Sequence, residues 1–280
     1  MHGFVPPHRY LPYLTAAQVA ALPAREATVV IQPVAAVEQH GAHLPIVTDA
    51  AIAEGVVGAA LERLDDNVPA FALPPLFYGK SNEHFHFPGT ITLTAQTLLQ
   101  VLMEVGASVY RSGFRKLIFA NAHGGQPQLV QVAARDLHLE HADFQLFPLG
   151  IWSVPNEAMA LIPEPECSTG IHGGDAETSL MLALLQEQVQ FAEARAETPP
   201  ALPDGALLSV EGARPFAWVT RDLSASGVVG DPTGATVEKG RALLDGLASG
   251  WAQVIGEVHR FEPPRVGWMA NPEAGAGPGR

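Results

Sequence analysis

Residues 37–49, Val37-Glu38-Gln39-His40-Gly41-Ala42-His43-Leu44-Pro45-Ile46-Val47-Thr48-Asp49, place two carboxylates and an imidazole within one short stretch. Glu38 and His40 are two apart, so an extended backbone sends both side chains to the same side. Thr48 can cap a helix that Asp49 opens, which returns a second carboxylate toward the same spot. A carboxylate, an imidazole and a second carboxylate form a hard, mixed N/O set suited to a divalent transition metal. Taken alone, a Glu-x-His pair in a loop is usually a solvated turn, so the reading depends on what else arrives there.

The elements around this stretch place it at an edge. Residues 28–37 form an apolar run that reads as a strand buried on both faces, and 50–64 have helical spacing. Ligands of open parallel sheets bind where strands end and helices begin. The pattern recurs at 116–121, a buried strand followed by Ala122-His123-Gly124-Gly125-Gln126-Pro127 and a helix over 128–140. The two glycines let backbone approach a ligand and leave helix N-terminal amides free for an anion. No Lys follows them, which sets a phosphate loop aside. A third strand is predicted over 143–151, with Trp152 just past it. Ile171-His172-Gly173-Gly174-Asp175-Ala176-Glu177-Thr178-Ser179 then leads into an apolar helix over 180–186. Glu177, in the first turn of a largely buried helix, is costly to ionise without a cation nearby. The helix dipole by itself would also account for an acid there.

The remaining segments are less informative. A short helix capped by Thr15 precedes the first strand, 68–77 reads as a strand broken by Pro74-Pro75, and 91–93 as a short strand or edge segment. In the polar loop 78–90, two aromatics interleave with His84 and His86; they either wall a pocket or pack the loop. Thr94 caps an amphipathic helix to about Ser112. Residues 155–167 read as irregular cover and 198–203 as a Pro-rich linker. The glycine-rich stretch 227–234 is too short to make a second domain. The closing helix, 236–258, is expected to be interrupted near Gly246 and Gly250. The organisation expected is one domain over 1–260 and a Pro/Gly-rich tail over 261–280, frayed or docked on a neighbour.

Composition narrows the partners. With 47% hydrophobic residues, a chain of 280 can bury a substantial core. Its 16 basic and 29 acidic residues give a formal charge of −13, which argues against nucleic acid and anionic membrane and makes small molecules the default substrates. The one cysteine, Cys167, excludes an intramolecular disulfide, fits a reducing cytoplasm and has no activating cation beside it. Neither a targeting segment nor a bilayer-spanning run is visible.

Glu38, His40 and Asp49, then His123, then His172 and Glu177, therefore come from loops that share one position relative to strands and helices. Together they offer enough ligands for two metals bridged by a carboxylate, an arrangement that clamps and activates water.

In these residues the chain resembles the creatininase (creatinine amidohydrolase) family, metal-dependent hydrolases of C–N bonds in cyclic and linear amides. The resemblance rests on Glu38-Gln39-His40-Gly41-x-His43-Leu44-Pro45 with Asp49, and on Tyr78-Gly79-x-Ser81-x-Glu83-His84-x-x-Phe87-Pro88-Gly89-Thr90. It continues in Asn121-x-His123-Gly124-Gly125, His172-x-Gly174-x-x-Glu177-Thr178-Ser179 and Gly230-Asp231-Pro232-Thr233, in order over roughly residues 10 to 260. It implies a three-layer αβα sandwich with a mainly parallel central sheet, a homo-oligomer that is often a hexamer, and a binuclear centre of Zn, Mn or Fe. By motif, Glu38 and His123 would bind one metal and His40 the other, with Asp49 bridging. Glu177 would be a further ligand and, with His172, an acid/base group. Creatininase proper carries Tyr-Glu after the metal His, where this chain has Gly124-Gly125. That moves the likeness toward relatives acting on formamides, on a peptide in cofactor maturation, or on other small cyclic compounds. The alternatives are a non-catalytic small-molecule binder on the same scaffold, or a hydrolase of C–C or lactone bonds.

Overall fold

The computed structural model describes residues 2–203 and 205–263. Four parallel strands form the centre, in the order β2-β1-β3-β4: β1 (Val29–Val34), β2 (Ala70–Ala72), β3 (Lys116–Asn121) and β4 (Gln145–Gly150). Alternation along the strands divides the apolar residues between two faces. Val29 and Ile31 of β1 join Ile118 and Ala120 of β3 in one core cluster, while Val30, Val34, Leu117 and Phe119 face the other way.

Helices cover both faces. In chain order they are α1 (Ala16–Ala20), α2 (Thr48–Glu62), α3 (Ala95–Arg111), α4 (Pro127–Glu140), α5 (Glu166–Thr169), α6 (Asp175–Leu184), α7 (Thr220–Leu223) and α8 (Val237–Arg260). The first cluster takes Ile52 and Val56 of α2, Leu180 and Met181 of α6, and Leu247 and Trp251 of α8. The second takes Leu98 and Leu102 of α3 with Val130 and Leu137 of α4. This is the expected three-layer α/β sandwich, its sheet wholly parallel among the named strands. Fully burying one such Leu or Ile contributes about 1.5–3 kcal/mol, so both faces hold the strand ends firmly.

Three local expectations are corrected. Thr48 is not the cap of α2 but its first residue; Val47 precedes the helix and the Thr48 hydroxyl donates to the Pro45 carbonyl at 2.7 Å. The strand expected over 68–77 is only Ala70–Ala72, because Pro74 and Pro75 cannot donate to a ladder. The closing helix runs unbroken through Gly246 and Gly250. Those glycines mark a close crossing: a Cβ at 250 would lie 2.8 Å from Val154 Cβ, and one at 246 would overlap the Asn156 side chain. Of the tail expected over 261–280, residues 264–280 lie outside the described residues. Among the described residues, no helix is long and apolar enough to cross a membrane.

Candidate metal centre

β1 delivers Glu38 and His40 just past its end, and their side chains do share a side. His40 Nε2 lies 3.9 Å from Glu38 Oε1. The first turn of α2 brings Asp49 between two imidazoles, with Oδ1 at 3.2 Å from His40 Nε2 and Oδ2 at 3.3 Å from His123 Nδ1. His123 follows β3 and reaches Glu38 Oε2 at 3.1 Å. Glu177, in the first turn of α6, accepts the Gly173 amide at 2.6 Å and has Oε2 at 3.9 Å from His40 Nε2. His172 Nδ1 lies 3.7 Å from Glu38 Oε1. Its loop is held by the glycine-rich stretch, through His172 and Val229 exchanging backbone hydrogen bonds of 3.0 and 2.8 Å. Every residue that sequence patterning marks for the site therefore arrives at one rim of the sheet.

Burial sets the electrostatics. Burial alone would push the His40 imidazole down, but the carboxylates of Asp49, Glu177 and Glu38 raise it to about 9. His123 is raised for the same reason, by Glu38, Asp49 and Glu83 against its own burial. Asp49 is held low by the two imidazoles although its burial opposes this. Glu38 is raised, burial outweighing the pull of His123. His172 is lowered to about 4 by burial and by His40 beside it. The acids thus favour positive charge at both imidazoles, a role that divalent cations can take over.

The donor set fits such cations. His40 Nε2 and Asp49 Oδ2 are buried and, although 3.2 and 3.3 Å from a carboxylate oxygen and an imidazole nitrogen, make no well-aligned hydrogen bond, which is costly for a buried polar atom unless something fills the role. Three groups bring one ligand atom from each member within 4.8 Å of the others: Glu38, His40 and His172; Glu38, Glu83 and His123; and His40, Asp49 and Glu177. Above them opens a cleft of about 620 Å³, lined also by Glu211 and Trp218 from the segment ahead of α7.

Sequence reasoning assigned no role to several residues that the fold brings here. Ser81 donates its hydroxyl to Glu38 Oε2. Gln39 Nε2 donates to His84 Nδ1 at 2.8 Å, and the His84 ring stacks on His172 with centroids 4.1 Å apart. Glu83 Oε1 lies 2.9 Å from His123 Nε2. His43 Nε2 sits 2.9 Å from the Thr178 hydroxyl. A 3-10 turn at Asn82–His84 directs Glu83 and His84 inward while Phe85 and His86 stay exposed, so the interleaved loop resolves into one inner and one outer imidazole. Its density of polar groups was the available signal; which of them turn inward was not readable.

A parallel α/β sandwich with buried imidazole–carboxylate clusters at its carboxyl edge, opening into a cleft, defines an α/β protein with a metal-capable site. The chain belongs to the creatininase family, whose model, described as creatinine amidohydrolase, matches residues 12–255. It is 31% identical over 249 residues to the mycofactocin precursor peptide peptidase of Mycolicibacterium smegmatis, covering 86% of this chain and 88% of that protein. It is 30% identical to the creatinine amidohydrolase of Pseudomonas putida, covering 82% and 89%. Among solved structures it resembles a Zn-Zn type creatininase variant, with 28% identity, a TM-score of 0.74 and coverage of 91% and 98%. It also resembles an Mn creatininase, with 28% identity, a TM-score of 0.73 and coverage of 91% and 99%. The chain is a creatininase-family hydrolase.

Proposed function

We propose that this hydrolase cleaves a C–N amide bond of a small linear or cyclic amide, using water activated at a binuclear centre. The observation that carries the reading is Asp49, which turns one oxygen to His40 and the other to His123. Glu38 and His123 would hold one divalent ion, His40 and Glu177 the other, with Asp49 shared. When bound, such ions lower the pKa of water toward neutrality and polarise a carbonyl oxygen. Zinc and manganese are favoured over other ions by the forms of the solved creatininases.

The protein's own groups supply the proton transfers. His172 Nε2 donates to the Gln39 carbonyl at 2.6 Å, which leaves the Nδ1 lone pair facing the acid cluster. His172 accepts a proton there and returns it to the departing nitrogen, which an amide requires because its anion is too basic to leave unaided. Glu177 is the second candidate for that shuttle. Gly124 and Gly125 bring no carboxylate to the cleft, and relatives named as peptidases match as well as the creatinine amidohydrolase. Both points favour a formamide, a cyclic ureide or a short peptide over creatinine. A homo-oligomer, hexameric as the family resemblance suggests, and a cytoplasmic setting belong to the same proposal.

The test is a screen of formamides, cyclic ureides and short peptides with protein loaded with Zn²⁺, Mn²⁺ or Fe²⁺. Amine release that disappears in His40→Ala is expected. Metal content below about a tenth of an equivalent after gentle purification, with ligand binding unchanged in His40→Ala, would overturn it in favour of a non-catalytic binder.

A further inference from the structure

Gly125 does not need to be glycine for its backbone. Its φ is absent from the left-handed set that includes Gly41, Gly89 and Gly173. What it needs is space. A Cβ built at 125 would overlap Glu83 Oε1 and lie 2.6 Å from His123 Nε2. The carboxylate of Glu83, delivered from another loop, occupies the volume that any side chain at 125 would enter.

That carboxylate is buried and committed. Oε1 is 2.9 Å from His123 Nε2, which also lies 3.1 Å from the Lys80 carbonyl, and Oε2 is 3.7 Å from Lys80 Nζ. On the other side of the ring, His123 Nδ1 faces Glu38 and Asp49 at 3.1 and 3.3 Å. A neutral imidazole has one bare nitrogen and one N–H, so an acceptor at Nε2 leaves Nδ1 bare. Carboxylates behind metal-binding imidazoles fix the tautomer and ring orientation in this way.

We propose that Glu83 is the positioning residue for His123, holding Nε2–H so that Nδ1 is the ligating atom, and that Gly125 is the steric condition for its doing so. The two residues are coupled: a side chain at 125 would displace Glu83 from His123 and would also press on the ring at Nε2. Glu83 itself stays off the ion. The inference rests on the metal reading above, and its test separates the two.

Zinc affinity is measured by chelator competition for the wild-type chain, Glu83→Ala, Glu83→Gln, Gly125→Ala and the double variant Glu83→Ala/Gly125→Ala. Glu83→Ala and Gly125→Ala should each weaken zinc binding about 10–100-fold, the range for lost outer partners of metal ligands. The double variant should lose less than the two single losses combined, since removing Glu83 relieves its overlap at 125 but leaves the 2.6 Å approach to His123 Nε2, and Glu83→Gln, which keeps an acceptor, should recover most of the loss. Additive losses, wild-type affinity in Gly125→Ala, or a Glu83→Gln as weak as Glu83→Ala would overturn the assignment, the last because it marks a direct ligand. If the wild-type chain binds none of Zn²⁺, Mn²⁺ and Fe²⁺, the metal reading fails, and melting of the metal-free proteins decides the pairing. Gly125→Ala should then lower Tm by roughly 3–8 °C in the wild-type background and by less than that in Glu83→Ala, where only the contact with His123 remains. Equal shifts in both backgrounds would sink it.

Discussion

His172 Nε2 lies 2.6 Å from the backbone carbonyl of Gln39, and this contact decides which face of the imidazole meets the cleft. A carbonyl can only accept, and the Gln39 Nε2 amide, 3.2 Å from the same nitrogen, spends its two hydrogens on Gly227 O and His84 Nδ1, so Nε2 carries the proton and Nδ1 is bare, 3.7 Å from Glu38 Oε1. His172→Ala should therefore lower amide turnover by about 10²–10⁴-fold, the usual share of a positioned acid/base group, with bound metal unchanged. Steady-state kinetics alongside metal analysis checks this. A parallel fall in metal content would reassign His172 to the ligand set, which the group of Glu38, His40 and His172 also permits.

Asp49 is shared, whereas His40 stands with one half of the cluster. Substituting Asp49→Ala should abolish tight binding at both positions, while His40→Ala should remove one equivalent of two. Elemental analysis after dialysis distinguishes them. Equal stoichiometry in the two variants would mean that the carboxylate does not bridge.

Acid should destabilise the metal-free protein through two buried imidazoles. Burial, followed by the nearby His40, lowers both His43 and His172 from 6.5 to about 4. Below pH 6.5 the unfolded chain takes up two protons that the folded chain refuses, so stability falls as pH drops and levels off near 4. Each group contributes roughly 3 kcal/mol across that window. His40 acts in the opposite sense at the other end: raised to about 9, it contributes stability that is present below 6.5 and lost as pH rises through 9. Urea titrations from pH 4 to 7 should show the midpoint climbing with pH, and a flat midpoint would refute the account.

At the opposite end of the sheet, Lys116 closes the last turn of α8. Its ammonium donates to the carbonyls of Val258, His259 and Phe261 at 2.8, 2.6 and 2.9 Å. Lys116→Met keeps the apolar stem but strands these acceptors, at a cost of about 2 kcal/mol, or roughly 5 °C in Tm. Thermal melting without metal isolates the effect, and an unchanged midpoint would show that water replaces the ammonium.

The strands and helices that carry the site were legible because their signals are local. β3 falls at 116–121 as its apolar run predicts, and Thr94 caps α3 by accepting the Thr97 amide. Glu38, His40, Asp49 and His123 were legible because they sit at strand-to-helix junctions, and His172 and Glu177 because they open an apolar helix. Gln39, Glu83 and His84 were not, since their roles arise from contacts across 45, 40 and 45 positions, respectively. Gly246 and Gly250 misled for the same reason: helix propensity marks them as breaks, while the crossing of segment 154–156 makes them necessary.

Glu38 stands within 4 Å of imidazoles from the loops after β1 and β3, from the 3-10 turn and from the segment ahead of α6. These four pieces of chain have no covalent tie near that point. A cation seated there would rivet them to one another, so stripping it should slacken the whole mouth of the protein at once. Amide exchange would then quicken together across regions far apart in the polypeptide, leaving the opposite end of the sheet undisturbed.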